Sequence, residues 1–517
     1  MQEQISYKKA TIIVMIVSFL SKITGFFREV LLGSRYGATY VTDAYLVSLT
    51  IPQTLFASIA AAIATTYIPL YSDIRINNGA EESVRFTNRI LNAVLAVSTF
   101  LAIIGMIFTK PIVSLIAIGF KGEALDIAIK FTRVTFPMII FIGIRGILTG
   151  FLRANDEFTL PALIGIPYNV IIIFILLLSS VVGPYGLVVG SVIGVILEVA
   201  ILLPVVFKKG YRYSRAFSFN DPYVIKVVAL ALPVMLGSAV QQLNVLIDRM
   251  LASGLSEGSI SALNFANRLN GFVYGLFSLS ISVVIYPLLS RLSAEKDMEG
   301  FKDKLTRGLN VITLIILPIT IGAMVLRQPI VSILFERGQF DSRATFMTAS
   351  ALLFYSIGMV FYGYRDILNR SFYAMQDTKT PMLNGLITVG LNIILNIILV
   401  KFMKHNGLAL ATSLSAIIMT ILLFMNLRKR MGGIGGRKLT EVFIKSGAAS
   451  LAMGIAVYGL NKLIAGIDLS GKLIELLVLG LIILFGALIY FALIYILKVE
   501  EMRWFVDMIK NRIKNIV

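Results

Sequence analysis

No cysteine occurs anywhere in the 517 residues, and there is a single histidine. The first absence rules out disulfides, thiolate metal sites and a cysteine nucleophile. The second rules out a multi-histidine metal centre and a Ser–His relay. His405, flanked by Lys404 and Asn406, reads as a solvated loop residue. Charge is also scarce. Only 15% of the residues are charged and 57% are hydrophobic, whereas a soluble domain carries about 25% charged residues. No signal peptide is expected, because Met1 to Lys9 is polar and the apolar run after it is too long for a cleaved h-region. No loop is long enough for a catalytic domain outside a membrane. A glycosyltransferase would need one, together with paired carboxylates or a metal, so an enzyme is not expected.

Acidic residues are fewer than basic ones, 28 against 47, which gives a net charge of +19. The basic residues are scattered over short loops rather than gathered in one patch, so a nucleic-acid partner is not expected. Basic loops on the cytoplasmic side of a polytopic membrane protein explain most of the excess.

What is present is a succession of apolar runs. Hydropathy predicts about fourteen spans, each long enough for ~30 Å of hydrocarbon. They lie near 11–37, 41–71, 86–109, 125–152, 159–182, 185–207, 223–253, 258–290, 304–326, 343–373, 380–403, 407–427, 440–463 and 472–497. Backbone groups in lipid must be satisfied within their own segment. Uninterrupted apolar runs such as Ile171 to Leu178 exclude a β-barrel, so the predicted class is all-α. Arg75, Arg85, Arg89, Arg153, Lys208, Lys209, Arg212 and Arg215 fall in even-numbered loops, as do the basic clusters after spans 8 and 12. Odd-numbered loops carry far fewer. Both termini are therefore expected inside. The tail, 500–517, alternates apolar and basic residues like an amphipathic helix lying on the cytoplasmic face.

Two stretches about 220 residues apart match. Arg145, Ile147-Leu148, Ala154, Glu157 and Pro161 align with Arg365, Ile367-Leu368, Ala374, Asp377 and Pro381. Tyr67-Ile-Pro-Leu-Tyr-Ser72 likewise matches Ile285-Tyr-Pro-Leu-Leu-Ser290. A shift of that size places six spans in each half with the same orientation, an architecture used by alternating-access carriers. The predicted division is a bundle over 1–220, a second over 221–431, and two further helices over 432–499.

Charges sit inside the spans. The first span contains Lys22, Gly25, Arg28 and Glu29, Asp43 opens the second, and Asn267-Arg268 lies in the eighth. An ionised side chain at bilayer depth costs roughly 2.5–3.5 kcal/mol on insertion scales, so it faces water or a partner rather than lipid. Lys22 and Glu29 are seven residues apart and share a helical face. Cations outnumber acids in spans 1 and 8, which points to an anionic headgroup such as a phosphate. The structural alternative is pairing within the set: Lys22 with Glu29, Arg28 with Asp43, Arg249 with Asp248. A second candidate site is oxygen-rich. Asn392 and Asn396 share a face of span 11, with Thr412 in span 12 and Asp248 in span 7, and oxygen ligands suit a hard alkali cation. Helix-packing amides are the alternative reading there.

The segments Ser21-Lys-Ile-Thr-Gly25-Phe-Phe-Arg28-Glu29, Gly37-Ala-Thr-Tyr-Val-Thr42-Asp43-Ala44, Phe265-Ala-Asn-Arg268-Leu, Leu334-Phe-Glu-Arg-Gly338-Gln-Phe-Asp341 and Phe372-Tyr-Ala-Met-Gln-Asp377-Thr-Lys-Thr-Pro381 resemble the MurJ (MviN) family of lipid II flippases. This family belongs to the MATE-like MOP superfamily, and the resemblance runs over essentially the whole chain. It implies fourteen spans, the last two forming a lipid-facing groove. It also implies a monomeric carrier that moves lipid II, the undecaprenyl-diphosphate-linked disaccharide–pentapeptide, to the outer leaflet of the bacterial cytoplasmic membrane. Lys22, Arg28 and Arg268 would bind the diphosphate, supported by Gly25, Glu29, Asp43 and Asn267. Asp248, Asn392, Asn396 and Thr412 match a sodium site of some members, with Asn396 in place of an acid; no other cofactor is implied. A further cavity arginine of relatives falls near Phe56 and a glutamate falls at Gly271. A flippase for another lipid-linked glycan would show the same cations. A cation-coupled drug exporter of the superfamily would be expected to have an acidic cavity instead.

Overall fold

The computed structural model describes residues 2–215, 221–433, 435–464, 466 and 471–501. The regular structure among them is α-helical. The chain runs through α1 (Gln2–Tyr36), α2 (Tyr40–Ile107), α3 (Thr109–Ile116), α4 (Gly122–Thr135), α5 (Met138–Ala154), α6 (Thr159–Leu163), α7 (Gly165–Leu177), α8 (Ser179–Lys208) and α9 (Pro222–Ser253). It continues through α10 (Ser259–Ala294), α11 (Met298–Val325), α12 (Arg327–Phe335), α13 (Ser342–Ile357), α14 (Met359–Ala374), α15 (Lys379–Met403), α16 (His405–Met431), α17 (Gly436–Ile464) and α18 (Lys472–Ile496). Nine helical segments among the described residues are long and apolar enough to cross a membrane, eleven if each of two bent pairs is one span. The charged helix α1, the first half of α2 and α10 bring the total to the fourteen expected. The amphipathic tail predicted for 500–517 lies outside the described residues from 502 onward.

Spans 2 and 3 were expected as separate helices with a loop over 72–85. They are two helices within α2 that meet at a non-helical kink at Gly79 (φ 90°), so the predicted loop shrinks to that one residue. The charged connector stays helical on the far side of that glycine because Arg85 and Arg89 pair with Glu81 and Glu82 at 2.6 and 3.0 Å. His405 also departs from expectation. The chain turns in one residue at Lys404 (φ 51°), so α16 begins on His405 itself. Its ring is buried, with Nε2 3.2 Å from the Met347 carbonyl and 3.3 Å from Ser350 Oγ of α13.

The chain divides into two compact units. Unit 1 is Met1–Ser261 with Arg337–Phe340, and unit 2 is Ala262–Glu336 with Asp341–Val517. Unit 1 holds α1 to α9 around a core of Tyr67, Phe86, Ile147, Phe151 and Leu202. Where the alternative is lipid rather than water, such side chains hold the helices together by close packing. Tyr67 stacks on Phe86 at 5.5 Å. Unit 2 is built on Phe301, Leu305, Leu309, Ile367 and Phe372. Helices α17 and α18 pack Met453, Val457, Ile482 and Tyr490 into a smaller core with Leu326 beside α11. There the Tyr490 hydroxyl donates to the Leu314 carbonyl at 2.9 Å.

The repeated motif folds the same way twice. After α5, Asp156 has φ 60°, and after α14, Gln376 has φ 59°. The following acids then cap the next helix. Glu157 accepts from the Thr159 and Leu160 amides at 3.2 Å, and Asp377 accepts from the Thr380 amide at 3.0 Å.

The segment leaving α8 is strapped to α2. Asn88 donates to the Arg212 carbonyl at 2.8 Å and accepts the Tyr211 hydroxyl at 2.6 Å. One turn on, Asn92 donates to the Ser214 carbonyl and accepts the Tyr213 hydroxyl, both at 3.0 Å. Arg89 then holds Asp221, the N-cap of α9, at 3.2 Å. Helix α9 accordingly packs in unit 1, along α2.

Candidate functional site

Helices α1 and α7 approach closely because small residues face each other. A Cβ at Gly165 would lie 2.6 Å from Ser21 Oγ, and one at Gly25 would lie 3.3 Å from Asn169 Nδ2. That approach puts Asn169 beside Arg28. Its Oδ1 accepts from Arg28 Nη1 at 3.0 Å, while its Nδ2 donates to the Ser21 carbonyl and to Thr24 Oγ1, both at 3.2 Å. The other arm of Arg28 donates to Glu29 Oε1 at 2.6 Å, and the guanidinium lies 5.4 Å over the Tyr168 ring. Arg28 therefore has a carboxylate partner, and that partner is Glu29, not the Asp43 of the alternative reading. Its side chain keeps 16% exposure against 4% for Glu29. Lys22, on the same helix, is exposed.

Asp43 does a different job. It is buried, and its carboxylate accepts from the Gly258 amide at 2.8 Å, the Ser261 amide at 2.7 Å and Ser261 Oγ at 2.5 Å. These are the first donors of α10, so Asp43 caps that helix from across the fold. Backbone packing supports the cap. A Cβ on Gly258 would meet the Ala38 carbonyl at 2.1 Å, and one on Gly37 the Gln339 carbonyl at 2.3 Å. Equivalent atoms at Gly338 and Gly119 would meet the Ser34 and Ser253 carbonyls at 2.3 and 2.2 Å. Segments 254–261 and 337–340 thus lie against α1, α2 and the turn after α3 with no room for a side chain.

In unit 2, Asn267 and Arg268 stand exposed on α10, and Gly271 has nothing close to it. Asn392 and Asn396 are buried. Asn396 Nδ2 donates to Asn392 Oδ1, and Asn392 Nδ2 donates to Ser415 Oγ, both at 2.9 Å. Thr412 donates to its own helix at Leu408. Asp248 is half-buried on α9 of unit 1. The Asn392 oxygen is thus already engaged by an amide, which is how a helix-packing pair behaves. No group of three or more His, Cys, Asp or Glu able to hold a metal occurs among the described residues.

Sequence reasoning did not single out Asn169. An amide inside the apolar run Gly165–Leu177 was the available signal, since a polar side chain in a span calls for a partner.

A profile of the family described as lipid II flippase MurJ matches residues 33–479. A lipid II flippase MurJ of Burkholderia cenocepacia is 29% identical over 425 residues, covering 80% of this chain and 82% of the relative. A solved lipid II flippase MurJ in an inward closed conformation superposes with a TM-score of 0.81 at 28% identity, covering 96% of this chain and all of that one. An inward-facing multidrug MATE transporter of the MOP superfamily shares the fold alone, with a TM-score of 0.68 at 13% identity over 81% of this chain and 98% of that one. With its all-helical membrane fold, its charged first span and a profile match over most of its length, the chain belongs to the MurJ family of lipid II flippases.

Proposed function

We propose that this protein moves lipid II from the inner to the outer leaflet of the bacterial cytoplasmic membrane. The observation that carries the reading is Arg28, an ionised group inside a span. It is oriented by Glu29, Asn169 and Tyr168. A guanidinium so held can grip a phosphate through two parallel bonds. Lys22 and Arg268 share the diphosphate with it, and Gly25, Glu29, Asp43 and Asn267 support the cavity. The headgroup enters from the cytoplasmic side, the two bundles rock, and the headgroup leaves outside while the polyprenyl tail stays in lipid or along α17 and α18. Inside-negative polarity favours outward movement of an anion by about 2.3 kcal/mol per charge per 100 mV. Both termini are cytoplasmic, the protein acts as a monomer, and it makes and breaks no covalent bond. No step of this cycle is assigned to sodium at Asp248, Asn392, Asn396 and Thr412.

The test is reconstitution in vesicles, scoring lipid II that becomes accessible on the opposite leaflet. Arg28→Ala and Arg268→Ala should insert at wild-type levels and move no lipid II. Transport by Arg28→Ala at the wild-type rate would falsify the cavity assignment. Transport of a different lipid-linked glycan in place of lipid II would replace the cargo and leave the mechanism.

A further inference from the structure

Helix α14 has two unlike faces. One packs into the core of unit 2 through Val360, Tyr364, Ile367, Leu368 and Phe372. The other carries Tyr362, Arg365, Asp366, Asn369, Arg370 and Tyr373. These residues recur at three- and four-residue steps and form one stripe about 16 Å long. Ionised groups in a span do not face lipid, so the stripe lines something polar.

Helix α10 flanks it. The Tyr274 hydroxyl donates to the Asp366 carboxylate. A Cβ on Gly363 would lie 2.8 Å from Ser278 Oγ, and the Arg370 guanidinium lies 5.8 Å over the Tyr286 ring. The last two contacts bracket Ser282 and Asn369. Ser278 Oγ, Ser282 Oγ and Asn369 Oδ1 are all buried with no hydrogen-bond partner among the described residues. Leaving such a group unmet costs about 1–3 kcal/mol. Asp366 is shared by Tyr274 and by Arg365 at 3.4 Å, whereas Arg370 has no carboxylate within ion-pair distance among the described residues. Tyr286 and Tyr373 are 36% and 43% exposed.

We propose that this stripe is a second subsite, for the acidic sugar–peptide part of the headgroup and separate from the diphosphate residues. The proposal rests on the reading that the cargo is a lipid-linked saccharide–peptide. Three features select that chemistry over a bare phosphate. The stripe carries two cations against one acid, little charge for a diphosphate. Asn369 Oδ1 can only accept a hydrogen bond; a peptide N–H supplies one and an ionised phosphate does not. Tyr373 offers a flat apolar face for a sugar ring, and Arg370, held over the Tyr286 ring, meets a peptide carboxylate.

The test uses the purified full chain and two soluble probes, N-acetylmuramyl-pentapeptide and inorganic pyrophosphate, titrated by calorimetry. Arg370→Gln and Tyr286→Leu should each weaken the muramyl peptide about tenfold or more and leave pyrophosphate within about twofold. Unchanged peptide binding in both variants, or parallel weakening of both probes, overturns the subsite. Wild-type protein that transports lipid II in vesicles but binds no muramyl peptide overturns the subsite alone. Wild-type protein that binds the peptide but transports nothing overturns the transport reading and leaves the subsite standing.

Discussion

Asn169 holds Arg28 in place. One side-chain amide accepts from the guanidinium at 3.0 Å and donates back to α1 at Ser21 and Thr24, one turn earlier. Replacing Asn169 by Ala frees one arm of the cation without touching the charge. A hydrogen bond to a charged group is worth about 1.5–3 kcal/mol, so lipid II transport should fall about ten- to a hundredfold. Vesicle assays at matched protein content would check this. Asn169→Gln, which keeps the amide but not its reach, should recover only part of the rate.

Asp43 meets three donors at the start of α10, and the two backbone amides among them cannot turn elsewhere. Asp43→Asn puts an N–H where an acceptor is required. Thermal unfolding should show a loss of about 2–4 kcal/mol. Asp43→Glu, which lengthens the arm, should also destabilise. A stability equal to wild type in Asp43→Asn would mean the cap is dispensable.

Gly258→Ala should cost more than a typical helix-end change, because its new methyl would overlap the Ala38 carbonyl. Gly79→Ala, where φ is +90° and nothing lies within 4 Å, is the matched control and should cost only the backbone strain. The comparison separates steric overlap from the general effect of losing a glycine.

The strap over Tyr211 to Ser214 predicts a proteolytic signature. Tyr211→Phe and Tyr213→Phe each delete one hydrogen bond worth about 1 kcal/mol. Asn88→Ala deletes two, so it should loosen the segment most. Trypsin should then cut at Lys209 and Arg212 faster than in wild type, in that order of variants. Identical digestion rates in all three would remove the strap as a stabilising element.

Asp377 gives a pH dependence with a definite sign. The Thr380 amide, then the Thr380 hydroxyl and Arg430 at 2.5 Å, hold its carboxyl below the ordinary value of 3.8. A folded-state value lower than the unfolded one stabilises the protein above the ordinary value, and that stability is lost as pH falls through the folded one. Melting temperatures measured from pH 5 down to 3 should fall more steeply in wild type than in Asp377→Asn. Parallel curves would remove the contribution of this carboxylate.

Much of the scaffold was readable because lipid leaves few options. An apolar run of 20 residues becomes a helix, and the repeated Arg, Ala, acid and Pro positions become the same turn twice. What escaped depended on contacts between distant segments. Nothing beside Asp43 in sequence indicates that it caps a helix starting at Ser259. Gly258 and Gly338 look like ordinary loop glycines until the Ala38 and Ser34 carbonyls arrive. His405 sits between polar neighbours, which hid that a one-residue turn at Lys404 drives its ring into α13. Arg28 was recognisable as a site residue from its place in a span. Its partner was not, since Glu29 and Asp43 were both acids within reach of a sequence argument.

The glycine contacts at 37, 119, 258 and 338 join main chain to main chain, and the Asp43 carboxylate beside them is sealed from solvent. Dissolved ions screen exposed charges over about 8 Å at 0.15 M and do not act on touching backbones. Brine should therefore weaken the grip on cargo phosphate while leaving these backbone contacts as firm as in fresh water.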